Sequence, residues 1–405
     1  MLSGGRDFGT VQTSDKPLRS IGLTASGVRN HNERAVLSKL RATGQMAGMD
    51  VARSLGVSAQ TASVILRSLE ANQLVLKGER VRGKVGKPQL PYRLNPSGAF
   101  ALGLRLGRRS SDLVLTDFTG QIVSQQTIHY RLPIPSEIEK FLRRATPDLL
   151  AAGGAPEERV IGIGIATPFE LWNWPEVMGA PRAEVDGWRN YDFQARLGDP
   201  LGLPVTVAND VNMACSAELV FGAGRMHRGF AYFNIGFFVG GGVVLDGKVL
   251  QGERGNAGAF GSIPVLGTRG PNHQLIHAAS LYALEEAISE ARGTVVNIRS
   301  DDSLFAAEPA LCAQWLEQAA EGLAVAITAV LAVLDLQQII IDGAFPAEVR
   351  DRLIARTIKA LEAVDHQGLH PVHLSSGVLG HNAGALGAAY APTMEAYFLE
   401  GSQMR

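Results

Sequence analysis

The chain has 405 residues, 46% of them hydrophobic, with a formal charge of −1 and two cysteines, Cys215 and Cys312. That length supports two or three domains with buried cores, while two cysteines so far apart exclude a disulfide framework or a thiolate metal cluster. There is no unbroken apolar run of the ~18 residues a membrane helix needs and no secretory hydrophobic core near the start, so the expected setting is the cytoplasm, with no membrane partner.

The near-neutral total hides an asymmetry. Residues 1–95 hold 15 Lys and Arg against 6 Asp and Glu, whereas the remainder holds 23 against 33. Positive charge confined to one end suggests a polyanion-binding module joined to a different body, which a merely solvated basic surface would not explain.

Residues 1–29 are rich in Ser, Thr, Gly and charge, with weak periodicity, and read as a flexible arm. Val36, Leu37 and Leu40 predict an amphipathic helix over 31–43, closed by Gly44. Residues 49–70 then read as a short helix, a turn at Gly56 and a second helix opened by Ser58 as N-cap. Val51, Ala52 and Leu55 form the apolar face of the first; Val64, Ile65 and Leu69 form that of the second. The exposed start of the second carries Ser58, Gln60, Thr61 and Ser63, with Arg67 further along. Such a face can donate and accept as base-edge and phosphate contacts require. An ordinary helical hairpin has the same pattern, but the surrounding charge favours a reader of nucleic acid. Leu74–Lys77 and Leu90–Leu94 look like strands around a basic, Gly-rich tip from Arg82 to Pro88. Lys84 and Lys87 on that tip are suited to backbone or minor-groove contact, as in the wing of a winged helix. Residues 30–95 are thus expected to be a winged helix-turn-helix domain.

From about residue 99 the pattern becomes α/β. Strands are expected at 101–107, 112–118 and 121–129, a helix at 135–152, and strands at 160–165 and 204–208 running into a helix from about Val211. Strands at 230–235 and 242–245 follow, with a hairpin turn at Asp246-Gly247. Helices at roughly 272–291 and 310–334, strands at 338–341 and 372–375, and a small-residue helix at 381–390 complete the chain. Strand-strand-strand-helix-strand, appearing twice, predicts a two-lobed architecture over 99–395 of the actin and sugar-kinase type, with a ligand cleft between its lobes.

In this order the elements resemble the ROK family of repressors, open reading frames and kinases. The resemblance rests on Gly86-Lys87-Pro88, Leu94-Asn95-Pro96, Gly162-Ile163-Gly164-Ile165, Asn209-Asp210-Val211-Asn212, the run Val239 to Lys248, Gly258 to Ser262, and Gly384-Ala385-Leu386-Gly387-Ala388-Ala389. It implies an actin-like ATPase (ribonuclease H-like) sugar-kinase fold behind the DNA-binding domain. It also implies that Asn209 and Asp210 touch a sugar, Asp210 standing where kinases of the family keep their base. A helix N-cap is the alternative role for Asp210, and the two roles are compatible. His277, near where the family has another sugar-binding residue, and Trp172, in the aromatic group 169–174, are further candidates for effector contact; packing is the alternative for Trp172.

The chain departs from the family's kinases. Their Asp-x-Gly-Gly-Thr phosphate loop reads Arg105-Leu106-Gly107-Arg108-Arg109 here. Their second loop reads Gly236-Phe237-Phe238, and their sugar-binding Glu and His read Ala259 and Ser262. Their zinc cysteines are missing; His273 and His277 alone would leave a zinc site incomplete, so no metal or other cofactor is expected. The expectation is a non-catalytic transcriptional regulator of carbohydrate genes, a repressor by resemblance, binding an operator duplex as a homodimer or homotetramer and sensing a sugar-like effector. A sugar kinase with an appended DNA-binding domain, or a regulator answering to a protein partner, are the alternatives.

Overall fold

The computed structural model describes residues 31–79, 90–173, 185–265 and 273–399. The expected N-terminal arm, the wing tip with Lys84 and Lys87, and Trp174 lie outside the described residues. Two compact units result: one runs to Asp210 and resumes at Ala385, and the other is Val211–Gly384.

The first unit opens with helices α1 (His31–Thr43), α2 (Gly48–Leu55) and α3 (Ala59–Ala71). Val36, Leu37, Leu40, Val51, Ala52, Ala62, Ile65, Leu66 and Leu69 form their buried core. Gly56 turns the corner at φ 64°, a left-handed conformation that favours glycine. Strands β1 (Met46–Ala47), β2 (Val75–Lys77) and β3 (Pro91–Leu94) make a small antiparallel sheet in the order β1-β3-β2. The β2–β3 pair is the expected wing hairpin. β1 was not foreseen, because two residues carry no periodicity.

One expectation fails here. Val64 does not join Ile65 and Leu69 in the core but is 53% exposed. At 100° per residue the inward stripe is Ala62, Ile65, Leu66 and Leu69, which puts Val64 on the outer face.

The α/β part of this unit contains β4 (Phe100–Leu106), β5 (Ser110–Thr116), β6 (Ile122–His129), α4 (Pro135–Gly153), β7 (Val160–Thr167) and β8 (Val205–Asn209). The sheet order is β6-β5-β4-β7-β8; β4 to β6 are antiparallel, while β7 and β8 run parallel to β4. Leu102, Leu104 and Ile163 pack with Ile138, Phe141 and Leu142 of α4 on one face.

The second unit repeats that plan. α5 (Asp210–Phe221) precedes β9 (Phe230–Ile235), β10 (Val239–Leu245) and β11 (Lys248–Val249); then come α6 (Leu275–Ala279), α7 (Leu281–Arg292), α8 (Pro309–Leu334), β12 (Gln338–Gly343), α9 (Ala347–Glu362) and β13 (His373–Ser376). Its sheet order is β11-β10-β9-β12-β13. The helix expected over 272–291 is two, broken at Ser280, which is extended at φ −73°, ψ 150°. The break has a cause. The Ser280 carbonyl accepts the Trp315 Nε1–H at 3.1 Å, and the first amides of α7 reach back to the turn before β10. α8 is long and apolar enough to cross a membrane by composition, yet 56% of its most apolar window is buried in this unit.

The last helix, α10 (Ala383–Tyr397), is longer than expected and returns the chain to the first unit. It lies on the sheet face opposite α4, with Ala385 and Ala389 against Val114. A Cβ on Gly103 would overlap the Ala385 carbonyl oxygen, and one on Gly164 the Ala388 carbonyl oxygen. These two glycines let the helix backbone touch the strands.

α10 and the residues after it also hold the winged helix. Arg34 of α1 donates to the carbonyls of Met394, at 3.3 Å, and of Phe398. Ser38 Oγ accepts the Leu399 N–H at 2.9 Å. Arg41 bonds the Tyr390 hydroxyl and stands 4.3 Å from the centre of the Phe398 ring, a cation–π contact. Phe118 of the body stacks on Phe398 at 5.4 Å. A second tether is Arg159, which donates to the carbonyls of Ser97 and Gly98, each at 3.2 Å, and to the Gln73 side chain.

Candidate functional site

The outer face of α3 is built as the sequence predicts at its start. Ser58 is the N-cap, its Oγ accepting the Thr61 N–H at 3.0 Å and sharing a 2.8 Å hydrogen bond with the Thr61 hydroxyl. Ser58, Gln60, Thr61, Ser63, Val64 and Arg67 are all exposed. Arg67 Nε donates to the Ser63 carbonyl one turn back at 3.2 Å, which steadies the side chain along the helix. The buried stripe fixes this orientation, so the polar residues form one continuous face.

In the α/β part of the first unit, β4, β7 and β8 are parallel, and their carboxyl ends coincide: Arg105 is in register with Ala166, and Thr167 with Asn209. Ligands of open α/β sheets collect at such ends. Asn209 ends β8 and Asp210 begins α5, both half-buried. As the first residue of a helix, Asp210 also lies at the positive end of the helix dipole. Trp172 lies beyond β7 in the short turn Leu171–Asn173, packed against the core of this lobe.

The stretch from Arg105 to Ser110 is a tight hairpin closed by Gly107 N–H to the Ser110 carbonyl at 3.0 Å. Arg105 is bound to Asp112 at 3.1 Å, and Asp112 also accepts from Thr127 at 2.9 Å. Arg108 Nε is shielded from solvent. Burial, opposed by the nearby Asp210 carboxylate and reinforced by Arg105, pulls the Arg108 guanidinium down to about 10. A guanidinium at that value is still charged at neutral pH, so Asp210 has a cation in its field.

The second-unit motifs are packed from within. Gly240 faces Val211, Gly241 faces the Phe260 ring, and Gly242 faces Cys215 so closely that none could carry a Cβ unchanged. The Gly run therefore serves close packing of β10. Phe237 and Phe238 cluster with Tyr282 at ring separations of 5.3 and 6.0 Å, while the Gly236 and Phe237 carbonyls accept the Leu281 and Tyr282 amides at 3.0 and 3.1 Å. This turn caps a helix. His277 is exposed, and its Nδ1 accepts the Gln274 N–H at 3.2 Å in a capping box at the start of α6. His273 precedes that helix rather than sharing its face, though the two rings are 5.6 Å apart. Among the described residues no three His, Cys, Asp or Glu side chains gather as a metal site.

Two features lie outside the sequence reading: the place of Val64 on the outer face of α3, which the helical period gives, and the nearness of the Arg108 guanidinium to the Asp210 carboxylate, which requires the sheet.

A winged helix-turn-helix joined to two units of the actin-like ATPase, sugar-kinase plan is the class of protein defined by this fold. The ROK family model matches residues 101–393, and the chain belongs to that family. It is 25% identical over 381 residues to the uncharacterized protein y4fQ of Sinorhizobium fredii, covering 91% of this chain and 92% of that protein. It is 22% identical to the xylose repressor of Bacillus subtilis over 66% of this chain and 69% of that one. Among solved structures, a ROK family transcriptional regulator, homologue of the E. coli Mlc protein, superposes with a TM-score of 0.67 at 21% identity, over 92% of this chain and 98% of that chain. A ROK hexokinase from Thermus thermophilus superposes at 0.53 with 26% identity, over 72% and 96%.

Proposed function

We propose that this protein is a cytoplasmic DNA-binding transcriptional regulator, a repressor of carbohydrate genes, whose kinase-like body senses a sugar or sugar-like effector without phosphorylating it. The exposed polar face of α3, on a segment with 15 basic against 6 acidic residues, is the observation that carries this reading. Ser58, Gln60, Thr61, Ser63 and Arg67 contact one DNA major groove, and Lys84 and Lys87 add backbone or minor-groove contacts. A homodimer or homotetramer presents two such helices to a palindromic operator. Asn209 and Asp210, with Trp172 and His277 as further candidates, contact the effector, whose preference for one arrangement shifts operator affinity. Replacing Gln60 and Thr61 together by alanine is expected to weaken operator binding by one to two orders of magnitude, at about 1–3 kcal/mol per base contact. Non-specific affinity should stay within about twofold, since phosphate contacts supply it. Equal losses on both DNAs in a gel-shift titration rule the assignment out.

The second reading is a sugar kinase with an added DNA-binding domain, favoured by the retained Asn209-Asp210 pair and by the likeness to a ROK hexokinase. Arg105, Arg108, Phe237, Phe238, Ala259 and Ser262 stand against it. An ATP-coupled assay over a panel of hexoses and amino sugars is expected to give no turnover above background. Turnover that Asp210→Asn abolishes establishes the kinase. In the same panel, a thermal shift with one sugar class supports effector sensing, and a flat response favours control by a protein partner.

A further inference from the structure

Val64 lies in the middle of the outer face of α3, and everything around it there is polar. Gln60 and Thr61 are four and three residues before it, Arg67 is three after, and all of these are exposed, as is Ser63 beside it. Exposure alone does not mark Val64, because Met226, Val295 and Val333 are more exposed still. Its position does. A β-branched side chain in a helix restricts its own rotamers and costs about 0.5 kcal/mol against alanine, and at 53% exposure Val64 recovers little of that through burial. Of its neighbours, Thr61 has its hydroxyl engaged with Ser58 and Arg67 has its Nε engaged with the Ser63 carbonyl. Gln60 and Val64, one helical turn apart, are the amide and the apolar group the face holds out together.

In the major groove the sole apolar mark on a base edge is the thymine C5-methyl group, and adenine is the base that an amide side chain matches with two hydrogen bonds. We infer that Val64 is a specificity-determining residue that packs on a thymine methyl, next to a base read by Gln60. This rests on the DNA-binding reading above and adds to it a chemical element of the operator: at least one thymine in each half-site whose methyl is felt by the protein.

The test uses the full-length protein. Duplexes enriched by it from a random-sequence library give the operator, and each thymine of that operator is then replaced singly by deoxyuridine, which removes the methyl and leaves the hydrogen-bonding groups. For the unaltered protein, one uracil position per half-site is expected to weaken binding about fourfold, the effect of one buried methyl group. The Val64→Ala variant, which loses the contact in both half-sites, should bind the thymine duplex about sixteenfold more weakly and be indifferent to uracil at that same position, closing a double-mutant cycle. Val64→Ile should keep the sensitivity. Because the contact is apolar, the slope of affinity against salt should be the same for all three proteins. Uracil sensitivity that persists at that position in Val64→Ala, or no sensitivity at any position in the unaltered protein, overturns the inference while leaving DNA binding intact. A library that yields no enriched sequence overturns the regulator reading and this inference with it.

Discussion

Gly164→Val is expected to unfold the first unit, leaving little protein in the folded fraction and no residual cooperative transition for it in calorimetry. The position offers no space, since the first side-chain carbon would already occupy the Ala388 carbonyl oxygen. Gly103, one strand away and in register with Gly164, meets the Ala385 carbonyl in the same manner. Relief would require α10 to lift from the sheet, exposing Val114, Ala385 and Ala389, which that contact buries. Overpacking where flexible side chains can adjust costs about 1–3 kcal/mol; here both partners are backbone, so the upper end is a floor. Against a total stability of about 5–15 kcal/mol, that is a large fraction. Gly154→Ala is the control. Gly154 caps α4 at φ 62° with nothing within 4 Å, so only its left-handed backbone is penalised, by about 1 kcal/mol. Equal melting temperatures for the two variants contradict the close-packing account.

The second large effect concerns Arg41. Replacing Arg41 and Phe398 together by alanine is expected to split the melting of the first unit in two, with the winged helix melting first. The guanidinium stands 4.3 Å from the centre of the Phe398 ring and 5.1 Å from that of the Tyr390 ring while bonding the Tyr390 hydroxyl. A desolvated cation–π contact is worth about 2 kcal/mol, and a hydrogen bond to a charged group about 1.5–3 kcal/mol. The pair also leaves a mark on Tyr390: burial pushes its phenol above the usual value, and Arg41 pulls it partway back. Hydrogen exchange checks the result, with amides of α1 to α3 in the double variant exchanging tenfold or more faster while those of β4 and β7 are unchanged. Uniform acceleration through the whole unit, or none anywhere, is the outcome that sinks this account. If α3 is the recognition helix proposed above, operator affinity should fall as well, because α1, loosened at Arg41, packs against α3.

Much of this fold is legible in the sequence because its cues are local. The period of Val36, Leu37 and Leu40, the glycine at 56 and the N-cap at 58 fix the helix-turn-helix, and residues 160–165 read as a buried strand, which in the fold runs Val160–Thr167. Misses occur where a distant group decides. The break at Ser280 follows from Trp315 and the turn at Gly236, and α10 continues past His381–Tyr390 through Pro392 because Tyr397 and Phe398 are held by Phe118. α9 is a different case. Val349, Leu353, Ile354 and Thr357 carry a helical stripe, so that helix, absent from the expected elements, is legible in the sequence. Of the candidate site, the polar face of α3 was visible by type and spacing. Val64 runs against its type, because hydrophobicity points it inward while its helical angle points it outward. Arg108 beside Asp210 and Arg41 beside Phe398 were beyond reach, because separations of more than a hundred residues leave no trace in a local pattern.

α10 gives the protein a particular order of manufacture. Its Ala385 and Ala388 close the sheet of the first unit, and the residues just after it anchor α1, yet the ribosome produces them after everything from β4 to β13 has emerged. The winged helix, although translated early and tied to the body by Arg159, waits for the last helix before it gains its anchor through α1. A chain interrupted anywhere before residue 383 would therefore carry α1 to α3 without the support that Arg34, Ser38 and Arg41 draw from α10 and the residues after it.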